Sequence, residues 1–156
     1  MMSRVQKGMV AGFAATVAVS ILEAVNVFAG PWVQPFPSVV ATLIGMEGNL
    51  AVGWVAHFLA GTLLLGALFG VVCPKLPTDT PETKGIAFAV AAWAVLMVGV
   101  LLFGDPRMFN AGGGFAVVAW MLVTHVVFGI VMGNVYARLV NRDKRAHDMS
   151  GAAAAH

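Results

Sequence analysis

Charge is what this chain has least of. Asp, Glu, Lys and Arg together make up 10% of its 156 residues, where an ordinary soluble domain carries about 25%. So few charges cannot coat a water-facing surface, which excludes the soluble globular class. The length leaves no room for a second domain beside a membrane bundle. A single cysteine, Cys73, excludes an intrachain disulfide and a Cys-based zinc site, and reads as a small apolar filler. Serine is scarce, and no serine has a plausible His and Asp set for nucleophilic catalysis. Gly112-Gly113-Gly114 lacks the strand and helix frame of a nucleotide site. These absences point away from an enzyme. The formal charge of +2 gives no case for nucleic acid.

Apolar length is what the chain has most of. Four runs, at about residues 8–30, 50–73, 85–104 and 115–140, are each about 20 residues or longer. At 1.5 Å per residue such a run crosses a hydrocarbon core of about 30 Å. Four segments cannot close a barrel, so backbone satisfaction in lipid requires helices. The expected fold is an all-α membrane protein of four transmembrane helices, followed by a disordered basic and Ala-rich tail over 141–156. Val27-Phe28-Ala29 before Gly30 resembles a signal-peptide cleavage site. The apolar stretch outruns a signal core, however, so the first run is read as a retained span.

The basic residues set the orientation. Eight of the nine Lys and Arg fall on one side of such a bundle: Arg4, Lys7, Lys75, Lys84, Arg138, Arg142, Lys144 and Arg145. Only Arg107 falls on the other. The positive-inside rule then places both termini in the cytoplasm, with the lipid bilayer as the main partner and anionic headgroups within reach of the tail. On the outer side, residues 31–37 are rich in proline and aromatics. Ser38 is expected to cap a short helix to about Met46, too short to span. Trp32 and Phe36 suit the interfacial aromatic belt. The second outer loop, 105–114, is expected to be flexible.

The halves of the chain resemble each other. Lys7-Gly8 and Lys84-Gly85 open the first and third runs, and His57-x-x-x-Gly61 and His125-x-x-x-Gly129 lie on the second and fourth. This reads as two parallel-repeat hairpins. Helix-packing faces are expected at Gly12, Gly61, Gly66, Gly70, Gly129 and Gly133, because small residues let helices approach closely in lipid. Gly53, His57 and Gly61 share one face, and the Gly66-x-x-x-Gly70 pair falls on a different one.

The ionisable groups inside the spans carry whatever chemistry there is, since such groups are costly in a bilayer. Counted from the cytoplasmic anchors, Glu23, His57 and His125 all lie about 20–27 Å deep, with Asn26 close by. Structurally, Glu23 would be a protonated acid bonded to a histidine or to Asn26. Each histidine would lock two helices by donating to a carbonyl or threonine. Functionally, a His–Glu chain could relay protons or bind a small polar solute. Two facing imidazoles could instead hold a b-type haem, and His57, His125 and Glu23 supply the ligand types for a transition metal. No cofactor is the first expectation. A homo-oligomer or a larger membrane complex is the expected setting.

Gln6-Lys7-Gly8-Met9-Val10-Ala11-Gly12, Gly53-Trp54-Val55-Ala56-His57-Phe58, Lys84-Gly85 and His125-Val126-Val127-Phe128-Gly129 resemble a family of small bacterial four-helix membrane proteins classed only as a domain of unknown function. The resemblance spans about residues 6–135. It implies a multi-pass inner-membrane protein and brings no substrate, cofactor or activity. Glu23 lies outside the family pattern.

Overall fold

The computed structural model describes residues 1–30, 33–103 and 114–153. They are all helical or connecting, with no strand among the described residues. Helix α1 is Arg4–Phe28 and α2 is Phe36–Leu43. The second long helix is composite: α3 (Leu50–Leu59), a π-helical segment (Ala60–Leu65), α4 (Gly66–Val72) and a 3₁₀ turn (Cys73–Lys75). Then come α5 (Pro81–Phe103) and α6 (Phe115–Ala153). Four of these helices, Arg4–Phe28, Leu50–Lys75, Pro81–Leu102 and Phe115–Ser150, are long and apolar enough to cross a membrane. Their outward sides carry large apolar residues such as Phe13, Ile21, Leu64, Val95 and Leu101, as lipid-facing surfaces do.

Helix α1 starts on a capping box. The Ser3 hydroxyl accepts from the Gln6 N–H at 3.2 Å, and Gln6 Oε1 accepts from the Ser3 N–H at 2.8 Å. Helix α1 packs against α4 and against α6, and α5 packs against α6. The α1–α4 seam is built on glycine. A Cβ on Gly8 would collide with the Gly66 carbonyl, and one on Gly12 with the Gly61 carbonyl. The α5–α6 seam is similar, with Gly85 against Gly129 and Gly133 against Pro81.

Gly61 and Gly66 both face α1, contrary to the sequence expectation that Gly66 and Gly70 occupy a different face. The π-helical segment is the reason. The two glycines stand five positions apart, which is more than one α-turn but suits the wider π-turn, so the helix is re-phased between them. The tail also departs from expectation. Residues 141–153 are helical, continuing α6. Arg, Lys, Ala and Met there are good helix formers, and Asp143 is tied to α1: Lys7 Nζ lies 2.9 Å from its carboxylate and the Met2 N–H donates to it at 3.2 Å. The start of α1 and the extension of α6 thus meet at one end of the bundle, the basal end.

Side chains meet in two layers. A basal core contains Ala11, Ala15, Phe69, Phe88, Phe128, Met132 and Tyr136. At the distal end a second cluster, with Val33, Val39, Met97, Val100, Val117 and Met121, includes α2 residues as an added piece. Helix α2 lies on α3, its Pro37 carbonyl so close to Gly53 that no side chain fits there. It begins at Phe36 on Pro35, not at Ser38, because proline at the second helical position starts a helix without needing an N–H. It ends at Leu43, followed by Gly45 with φ +73, a conformation that favours glycine.

Candidate functional site

The distal layer is organised around Glu23, which is fully buried, as is Asn26 one turn further along α1. Every neighbour bonded to the Glu23 carboxyl is a donor. The Trp120 indole Nε1–H donates to Oε1 at 2.6 Å, the Phe36 backbone N–H to Oε2 at 3.3 Å, and the Asn26 amide to Oε2 at 3.5 Å. The Asn26 amide also donates to the Val33 carbonyl at 3.1 Å. Among the described residues Glu23 therefore bonds to Asn26 and to no histidine.

The Phe36 bond has a local cause. In the first turn of α2, Pro37 has no N–H, while Ser38 and Val39 donate back to the Pro35 carbonyl at 2.9 and 3.3 Å. Phe36 is left with the one orphan N–H, and no side chain of α2 caps it. A carboxyl from α1 fills that role, at the end of the helix where partial positive charge accumulates. The carboxyl thereby joins three elements, α1, α2 and α6.

The Phe36 side chain points into the same layer, not out to the aromatic belt. Its ring meets His57 edge-on at 5.2 Å between centroids, and His125 edge-on at 6.1 Å. Glu23, His57 and His125 are thus gathered around one residue of α2. They do not form a group of three that could hold a metal ion among the described residues. Trp32 lies outside the described residues, as do residues 104–113 of the second loop.

The two histidines differ. His125 Nδ1 lies 2.7 Å from the Met121 carbonyl of its own helix, so in the neutral ring Nδ1 carries the hydrogen and Nε2 is an acceptor. The bond is intrahelical and locks no second helix. Thr124 likewise returns its hydroxyl to Met121, at 3.0 Å. His57 is 7% exposed and is flanked by the rings of Trp54 and Phe58, each about 5.9 Å away. Its Nε2 has no hydrogen-bond partner among the described residues, and neither does Asn26 Oδ1. Trp93 Nε1, packed against the distal cluster, is a third such atom; buried polar atoms are nearly always paired, so these orphans call for an explanation. The π-helical segment begins three residues after His57, and such segments recur at functional sites.

Two members of the layer escaped sequence reasoning. Trp120 lies 97 positions from Glu23; its only signal was an indole N–H inside an apolar span, a donor that needs an acceptor there. Phe36 contributes a backbone N–H, which no side-chain pattern records.

A helical bundle with four spans of membrane length and a buried polar knot at one end defines a polytopic membrane protein. Residues 2–147 match the model of a family of unknown function, DUF6789, and the chain belongs to that family. No curated protein and no solved structure matches it.

Proposed function

We propose that this is a non-enzymatic integral protein of the bacterial inner membrane, an accessory or oligomeric subunit that handles protons or a small polar solute at the distal layer. The observation that carries this reading is that two buried atoms of the layer, His57 Nε2 and Asn26 Oδ1, have no partner among the described residues. A small molecule with both a donor and an acceptor would satisfy them, and a proton carrier would use the imidazole. The Glu23 bonds support it by holding α2 against the layer.

The orientation proposed is both termini in the cytoplasm, supported by the eight basic residues on the basal side. A duplication into two parallel hairpins is part of the same reading. Its support is the matched pair of glycine seams, Gly8 with Gly66 and Gly85 with Gly129, and the placement of His57 and His125 against the same Phe36.

Proteoliposomes loaded with a pH-sensitive dye test the proton reading. Under an imposed gradient, vesicles with the protein should equilibrate faster than empty ones, and His57→Phe should return them to the empty rate. Equal rates for the protein and empty vesicles would remove the proton reading. A visible absorption spectrum of the same preparation reads directly whether the histidines carry a haem.

A further inference from the structure

The basal end holds a second arrangement, independent of the distal layer. Arg138, Arg142 and Arg145 stand at four- and three-residue steps on α6 and line one groove of about 340 Å³. Arg142 also borders a larger cavity of about 630 Å³ between the start of α1 and α6. That second cavity is walled by Met2, Met9 and Val10, and Met9 and Val10 lie on the turns of α1 that run into the apolar span. The two share Arg142, so a cationic groove adjoins a mainly apolar slot that also carries Gln6 and Asp143.

The one carboxylate in the slot does not oppose an anion. Asp143 is engaged by Lys7 at 2.9 Å, by the Met2 N–H at 3.2 Å and by Arg142 Nε at 3.9 Å. The Arg142 side chain remains 67% exposed. Its other polar contact among the described residues is a long one, 3.8 Å from Nη2 to the Met2 sulfur, so the guanidinium has donors to spare. Guanidinium groups bind phosphate oxygens in bidentate fashion. A soluble phosphate would use the arginines and leave the slot empty. Nucleic acid would meet three arginines and no stacking aromatic. A phospholipid uses both parts.

We propose that the Arg138–Arg142–Arg145 groove binds the phosphate of an anionic phospholipid, with part of its apolar body in the slot walled by Met2, Met9 and Val10. The lipid would bridge α1 and the α6 extension, adding to the Lys7–Asp143 pair.

The test titrates short-chain phosphatidylglycerol into the detergent-solubilised full chain, with retained lipid read by native mass spectrometry. Phosphatidylcholine of equal chain length and inorganic phosphate serve as separate arms. Saturable phosphatidylglycerol binding is expected, at least about tenfold tighter than phosphatidylcholine. Arg142→Gln should weaken it about fivefold, as one surface charge is worth. Changing all three arginines to Gln should abolish the preference. Lys144 lines neither cavity, so Lys144→Gln should stay within about twofold and shows that net charge alone is not the cause. Equal binding of the two lipids, an unchanged triple variant, or inorganic phosphate competing as well as phosphatidylglycerol would each overturn the proposal.

Discussion

Glu23 and His57 sit in one buried layer and behave oppositely. Glu23 is saturated: three donors converge on its two oxygens, and removing it would strand them. His57 makes ring contacts, but its Nε2 has no partner among the described residues. Both are ionisable residues in a span, and cost alone would mark both as functional. The difference separates a polar group that builds the fold from one that the fold leaves available. By this reasoning Glu23, the more conspicuous residue in sequence, is the scaffold.

Four measurements would break or sharpen the contrast. The largest effect is expected from Glu23→Ala, which takes the Glu23 acceptor from the half-buried Trp120 and Phe36 N–H groups. A loss of about 3 kcal/mol or more follows at about 1–3 kcal/mol per stranded group, read as a lower melting temperature in detergent. A wild-type melting temperature would end the scaffold reading. Next is Trp120→Phe, which removes one donor and keeps the ring; about 1–2 kcal/mol is expected, and Glu23→Ala combined with it should cost less than the sum. Third is His57→Phe. Exchanging a ring whose Nε2 has no partner among the described residues for an apolar one is nearly neutral or stabilising, within about 1 kcal/mol, while the proposed proton or solute function is lost. A strongly destabilised His57→Phe would show that the imbalance between the two residues is false.

The smallest effect is expected from Asp143→Asn, at the basal end and beyond the membrane-spanning part of α6. Lys7 beside it holds the Asp143 carboxyl below the usual carboxylate range. Its folded-state pKa being depressed, the stability it adds is present above the unfolded-state pKa and lost as pH falls through the folded one. Melting curves of wild type and Asp143→Asn should therefore differ at neutral pH and converge in acid below the ordinary carboxylate range. Divergence in acid would reverse the sign and refute the pairing.

Much of the fold was legible in the sequence because length and apolar content leave little choice in lipid. The spans from Leu50, from Pro81 and from Phe115 begin within a few residues of where the apolar runs begin. The glycine faces were legible in part. Gly12, Gly61, Gly129 and Gly133 lie in the seams, and Gly66 lies there too, on the face of Gly61, because a π-turn breaks the regular period. Gly8 and Gly85 stood out only as parts of the Lys-Gly pairs, although both lie in the seams. The helical continuation over 141–153 was missed because its anchor, Lys7 to Asp143, joins opposite ends of the chain.

By itself, the sequence determined that the chain is helical, that it carries four helices long enough to cross a membrane, and which ionisable residues fall inside them. Local rules suffice for these: hydrogen-bond closure within a helix, and the length of a bilayer. Tertiary structure alone decided that Glu23 reaches the first turn of α2 and the indole of α6, and that Phe36 stands against both histidines. Hydrogen-bond satisfaction between distant segments is a matter of three-dimensional proximity. No periodicity encodes it, and it is what distinguishes the saturated carboxyl from the imidazole whose Nε2 has no hydrogen-bond partner among the described residues.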